Sequence, residues 1–297
     1  MKSFLKRSLV LLVAFGLLYY FCQKYLPDLN RSLVLIRSMK WYLLALALFL
    51  QYYYFLLSAR LYQKSFYLNK INLTVKETLI SLLSANFINL TTPIGSIAGF
   101  GVFYKEARGN EKSMFGVTIG IILSIAVDFF TLFLILSVTI LLLYLTNNLG
   151  QYELSAYGIF SLILFILFFF LTIASLNPKL SELLFKIVQK LLNRFFMTIR
   201  NKNLVTNDWC EEKQDQLQDV SEKISSRGNF WKLFKISFWM HIINLSSLII
   251  IFISFKTDVS IVPIFAGYSI GYLFRIISPT PQGLGIVEGV MPLVFSN

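Results

Sequence analysis

The chain has 297 residues, 56% of them hydrophobic and only 14% charged, whereas ordinary soluble domains carry about 25% charged residues. With a mean hydropathy of +0.68 and apolar runs from end to end, this excludes a soluble enzyme domain of ordinary size and indicates an all-α polytopic membrane protein. The net charge of +12 reports membrane topology and attraction to anionic lipid head groups, and no direct nucleic-acid partner is expected.

Residues 8–26 form the first apolar run. They follow Lys2, Lys6 and Arg7 as in a secretory signal, but Tyr25-Leu26-Pro27-Asp28 stands where small residues would mark cleavage, so the run reads as a retained span. A second span covers 41–59, with Trp41 and Tyr42 at its start, where amphipathic rings favour the interface. Residues 77–104 are mostly apolar, yet Lys76 on one side and Lys105 and Arg108 on the other give both flanks a cytoplasmic character. One span cannot begin and finish on the same face. The economical reading is a re-entrant hairpin with a half-helix over 77–90 and a return from about residue 96. Its tip holds Asn86, Asn89, Thr91, Thr92 and Pro93.

Spans over 114–145 and 157–176 come next; the first is long enough to tilt and carries Asp128 in mid-span. After Pro178, apolar residues from Leu180 to Ile199 recur at helical spacing between Lys179, Lys186, Lys190, Arg194 and Arg200. This is an amphipathic helix for the cytoplasmic interface, or else one packed on the protein's own membrane domain, within a loop over 177–235. Residues 201–229 are polar. A span over 233–255 contains the sole histidine, His241, read as a hydrogen-bonded packing residue with a proton relay as the alternative. Finally, apolar residues 261–277 lead to Ser278-Pro279-Thr280-Pro281-Gln282-Gly283-Leu284-Gly285, and 286–295 would return outward.

The string Thr-Pro-x-Gly thus occurs twice, at Thr92-Pro93-Ile94-Gly95 and at Thr280-Pro281-Gln282-Gly283. Proline removes a backbone donor and glycine loosens the chain, so both copies read as breaks in apolar helices. Three spans lie between the hairpins, and an odd number inverts the second relative to the first. About five full spans plus two hairpins of opposite orientation form the pattern of an inverted repeat, whose substrate site lies near the midplane. Ordinary kinks or close helix packing are the alternative reading of the same residues. With the amino terminus inside, segments 1–7, 60–76, 105–113 and 177–235 are cytoplasmic and hold 21 of the 27 lysines and arginines. Arg31, Arg37 and Lys40 run against this orientation.

Ionisable residues inside apolar segments are costly and mark candidate sites. Asp128 lies mid-span, Arg275 just before the second break and Glu288 just after it. The planar fork of Arg275 suits a lipid phosphate, while Glu288 or Asp128 suits a cationic head group or a coupling proton. Alternatively, Arg275 pairs internally with one of the two carboxylates. Asn86, Asn89, Thr92, Pro93, Gly95, Thr280, Pro281, Gly283 and Gly285 complete the candidate lipid-binding set. Catalytic, metal and cofactor sites are not expected. Cys22 and Cys210 are isolated, His241 has no ligand companion, and no Gly-x-Ser-x-Gly elbow occurs.

Pro279-Thr-Pro-Gln-Gly-Leu-Gly-Ile-Val-Glu288 resembles the Pro-x-Pro-Gly-Gly-Leu-Gly-x-x-Glu signature of the lysylphosphatidylglycerol synthase transmembrane family. Asn89-Leu-Thr-Thr-Pro-Ile-Gly95, followed by Tyr104-Lys-Glu-Ala-Arg-Gly109, resembles that family's upstream region and basic exit. The resemblance covers essentially the whole chain and implies a flippase-like domain of a cell membrane that handles phospholipid head groups. The alternative is the membrane part of a phosphatidylglycerol lysyltransferase working with an aminoacyltransferase on another chain, since the soluble transferase domain of two-domain members is absent from this sequence. A homo-oligomer is a further expectation. Gln282 departs from the family's glycine, and the sequence stops nine residues after Glu288, where relatives continue with at least one more span. That leaves a truncated product or a second hairpin without its usual cover as the two expectations.

Overall fold

A computed structural model describes residues 36–91, 99–108, 114–147, 149–176, 228–256, 260–277, 283, 285, 287–289 and 291. The expected span at 8–26, both cysteines, the amphipathic stretch after Pro178, and Thr92, Pro93, Gly95, Thr280 and Pro281 lie outside the described residues. Seven named helices carry the described chain: α1 Trp41–Leu68, α2 Val75–Thr91, α3 Phe100–Arg108, α4 Met114–Leu145, α5 Gln151–Leu176, α6 Asn229–Ser254 and α7 Ile261–Ile277. No strand occurs among the described residues. Three helices, α1, α4 and α6, are long and apolar enough to cross a membrane, and Glu153–Phe169 and Ile261–Ile276 are shorter apolar stretches.

Local sequence sets several helix ends. Thr74 and Glu77 form a capping box at the start of α2: the Thr74 amide donates to Glu77 Oε2 at 2.7 Å, and the Glu77 amide donates to Thr74 Oγ1 at 3.2 Å. Shortly after α1, α4 and α6, the left-handed residues Lys70, Asn147 and Lys256, with φ of 60°, 57° and 56°, turn the chain out of the helix. Helix α1 continues nine residues past the expected boundary at residue 59, to Leu68, because nothing between Arg60 and Leu68 breaks a helix. Exposed Arg60 and Lys64 are long enough to reach polar surroundings from that last stretch.

Helices α1 and α6 run antiparallel along their whole length. The Lys40 amide donates to the Ser254 carbonyl at 3.0 Å, the Ser247 hydroxyl to the Ala47 carbonyl at 3.1 Å, and the Gln51 amide group to Asn244 Oδ1 at 2.7 Å. Polar groups placed between apolar helices in this way fix register, since lipid offers them no partner. Helix α4 is central, packing on α1, α3, α5, α6 and α7. It runs antiparallel to α7, as Thr139 meets Ser269 through a hydroxyl pair at 3.0 Å while Asp128 meets Tyr272.

Described residues on either side of each expected break pack against one another, while the breaks at 92–98 and 278–282 lie outside the described residues. Phe103 of α3 stacks on Tyr62 with centroids 5.5 Å apart and packs against Phe66, bringing α3 beside α1 and α2. A Cβ at Gly99 would collide with the Ala85 carbonyl oxygen and approach Asn89 Oδ1 to 2.6 Å, so only glycine permits this return. In the second segment, Met291 Sδ comes within 3.0 Å of a Cβ position at Gly271, so the chain after residue 283 lies back along α7. Helix α2 starts beside the Lys64–Lys232 end of the α1–α6 pair, whereas α7 starts beside its Lys40–Lys256 end. Large apolar side chains on the outer faces, such as Leu48, Phe49, Phe165 and Phe169, are exposed as expected for helices that face lipid.

Candidate functional site

The candidate site is a cavity of about 450 Å³ at mid-depth, bounded by five helices. Each helix contributes residues at i+3 and i+4 spacing, which share one helical face. Helix α1 supplies Gln51, Tyr54, Ser58 and Tyr62; α2 supplies Leu82, Asn86 and Leu90; α4 supplies Ser124 and Asp128. Helix α6 adds Met240 and Asn244, and α7 adds Tyr272 and Arg275. Because Tyr54, Asp128 and Met240 all lie near the midpoints of their long helices, the cavity sits halfway along the bundle. The last turns of α2 and α7, which start at opposite ends, both reach it.

Asp128 is its chemical centre. Its side chain is 16% exposed, with Oδ1 3.0 Å from His241 Nε2 and 3.4 Å from the donating Ser237 hydroxyl. Oδ2 accepts from the Tyr272 hydroxyl at 3.0 Å. His241 is fully buried, and its Nδ1 lies 2.7 Å from the Tyr268 hydroxyl. The result is a continuous polar chain, Tyr268–His241–Asp128–Tyr272, crossing from α6 to α4 and back to α7. Its many bonds explain how a carboxylate is tolerated in an apolar bundle.

Arg275 stands at the edge of the same cavity, on the last turn of α7, where the negative end of the helix dipole favours a cation. Its guanidinium carbon is 5.7 Å from the centre of the Tyr272 ring. Among the described residues no ion pair joins Arg275 to Asp128 or to Glu288. The internal pairing that the sequence left open is therefore not the arrangement found. Instead, an arginine and an aspartate of opposite charge face one cavity without cancelling each other.

The hairpin residues divide into two groups. Asn86 lines the cavity, whereas Asn89 is buried and its Oδ1 accepts from the Gly99 amide at 2.8 Å. Glu288 is exposed, and its Oε2 accepts from the Gly285 amide at 2.6 Å. Gly283 and Gly285 have φ of +79° and +83°, which supplies the reason for glycine at both places. A Cβ at Gly283 would also lie 2.7 Å from Val287 Cγ2. Both turns thus use a side chain to satisfy a backbone amide beside the break. The Gly99 and Gly285 amides are bonded within the protein.

Sequence reasoning found Asp128, Arg275 and Asn86 but missed Gln51, Tyr54, Tyr62, Asn244, Tyr268 and Tyr272. A signal was present. Gln51, Tyr54, Ser58 and Tyr62 form a polar stripe in an otherwise apolar helix, and Tyr268, Tyr272 and Arg275 repeat the pattern on α7. Among the described residues no group of His, Cys, Asp and Glu is arranged to hold a metal ion.

A family model described as "Lysylphosphatidylglycerol synthase TM region" matches residues 8–297. No match was found among curated proteins or among solved structures.

Proposed function

Because the chain belongs to the lysylphosphatidylglycerol synthase transmembrane-region family, we propose that it binds a polar phospholipid head group in its mid-depth cavity and moves it between leaflets. The head group best suited to the cavity carries both a phosphate and an amine. Its phosphate would meet Arg275, whose fork matches phosphate oxygens. Its ammonium would meet Asp128 and the tyrosine rings of α1 and α7, which attract cations through their faces. The carbonyl ends of α2 and α7 add to the cation preference of the interior. Asn86, Gln51 and Asn244 offer neutral hydrogen bonds around it. The acyl tails would remain in the bilayer while the head group passes between the two hairpins.

The observation that carries this reading is the convergence of α2 and α7, which start at opposite ends, on one cavity holding Asp128 and an Arg275 that has no ion-pair partner among the described residues. Paired broken segments of inverted orientation are how many transporters build a midplane site, and we take the two hairpins as such a pair. The basic groups Lys64, Lys70, Lys76, Lys232 and Lys235 gather near one end of the α1–α6 pair and support a cytoplasmic amino terminus in a plasma membrane.

The test is reconstitution of the full chain in liposomes carrying lysylphosphatidylglycerol in the inner leaflet. Appearance of the amine outside is followed with an impermeant amine reagent. Faster exposure than in protein-free vesicles, and its loss in Arg275→Gln, is the expected result. An unchanged rate sinks the flippase reading. The family's description names a synthase, so the second reading is a membrane partner of an aminoacyltransferase on another chain. It predicts that deleting the gene lowers total lysyl-lipid instead of changing its leaflet distribution.

A further inference from the structure

His241 does not line the cavity, yet it is fully buried, with Nδ1 bonded to the Tyr268 hydroxyl and an Nε2 that makes no hydrogen bond 3.0 Å from Asp128 Oδ1. Packing alone asks less of a histidine. We propose that the His241–Asp128 pair holds one exchangeable proton, and that arrival of the head-group amine displaces it, making the protein a proton/lipid exchanger. The inference rests on the head-group reading above and adds the ion that drives it.

The geometry allows both states. Without the extra proton, Nδ1 accepts from the Tyr268 hydroxyl across 2.7 Å, while Nε2 faces Asp128 Oδ1 at 3.0 Å without completing a hydrogen bond. With it, Nδ1 donates to the Tyr268 oxygen, and the imidazolium charge lies at ion-pair distance from Asp128. Only a hydroxyl rotates, and Nε2 stays within ion-pair distance of Asp128 in both states. Histidine suits this task because its neutral ring offers one donor and one acceptor nitrogen and its charged ring two donors.

The surrounding groups make the proton and the amine compete. Tyr54 and Tyr62 of α1 and Tyr272 of α7 line the cavity with Asp128, Tyr268 of α7 bonds His241, and the cavity residues of α2 do not titrate. Arg275 is the fixed positive charge on the cavity wall. A proton on the pair neutralises Asp128; an ammonium beside Asp128 does the same. Both together would add a further positive charge to a site that already holds Arg275, which repulsion disfavours. One proton therefore leaves for solvent as the lysyl head group arrives; that head group carries two ammoniums and one phosphate, so the net charge of the site is the same in either state. No bond other than that to the proton is made or broken.

The experiment titrates purified full-length protein, in weakly buffered detergent, with lysylphosphatidylglycerol and in parallel with phosphatidylglycerol, which lacks the amine. A pH indicator reads proton release and a separate assay reads binding. About one proton per bound lysyl-lipid and none per phosphatidylglycerol is expected. Affinity for the lysyl-lipid should also fall about tenfold for each pH unit lowered through the range in which the pair titrates. His241→Gln, which can still donate to Asp128 and accept from Tyr268, should bind with pH-independent affinity and release no proton. If that variant does not fold, the proton count of the unmodified protein decides alone. Binding of lysyl-lipid without proton release overturns the exchange and leaves the head-group reading standing. Failure to bind lysyl-lipid overturns both.

Discussion

The two hairpins share a construction and differ in chemistry. Each contains a break closed by a side-chain oxygen on a backbone amide: Asn89 on Gly99 in the first, Glu288 on Gly285 in the second. The first closure is buried and joins two limbs ten residues apart; the second is exposed and spans three residues. Among the described residues, the first hairpin offers the cavity Leu82, Asn86 and Leu90, whereas α7 offers Tyr272 and Arg275 and bonds directly to Asp128. The described part of the first hairpin is thus a neutral wall, and α7 carries the charge. A shared backbone device does not imply a shared role, because the side chains that face the cavity set the chemistry.

The largest effect should come from the shared carboxylate. Asp128→Ala removes the acceptor of Tyr272 and the neighbour of His241, leaving buried polar groups unpaired at about 1–3 kcal/mol each. Lipid transfer should drop by two orders of magnitude or more, with a clear fall in thermal stability; normal transfer would detach Asp128 from the site. Next comes Arg275→Gln, which should weaken lipid binding roughly tenfold to a hundredfold, the worth of a charge-assisted bond of about 1.5–3 kcal/mol, while leaving thermal stability nearly unchanged. The corresponding change in the wall, Asn86→Leu, should weaken binding far less. Equal losses would erase the proposed asymmetry.

The closures give the third contrast. Asn89→Ala leaves the buried Gly99 amide without its partner and should destabilise the protein by about 1–3 kcal/mol in thermal unfolding. Glu288→Ala exposes its amide to water and should cost about 0.5–1 kcal/mol. A reversed order would mean that the second turn, not the first, holds the bundle together. The smallest effect is expected at Gly101, where a Cβ meets nothing within 4 Å. Gly101→Ala should be neutral or slightly stabilising, by up to about 1 kcal/mol, because alanine favours a helix. Gly99→Ala, two residues earlier, should be clearly destabilising because its Cβ has no room.

Several elements were legible before any coordinates. Helix α4 has the bounds 114–145 expected from its apolar run, and α2 begins two residues before the expected half-helix at 77, where the capping box of Thr74 and Glu77 starts it. Asp128 and Arg275 were visible because charge in an apolar run is rare. The partners of those charges were not visible. Sequence allowed Arg275 to pair with either carboxylate; the fold instead gives Asp128 to His241 and Tyr272, and Glu288 to Gly285. His241 is the hydrogen-bonded, packed residue the sequence suggests, but that its partners are Tyr268 and Asp128 depends on α4 and α7 lying on either side of it.

By itself, the sequence determined the class, the helices and the places where they break, because lipid exclusion and backbone hydrogen bonding act on local runs of residues. It also determined which residues are costly enough in an apolar setting to need a reason. Only the tertiary structure decided which of those meet. The cavity is assembled from one face each of α1, α2, α4, α6 and α7, whose separation along the chain exceeds two hundred residues. Which faces come together is fixed by packing and by polar contacts such as Gln51 with Asn244 and Thr139 with Ser269, and no local pattern encodes those pairings.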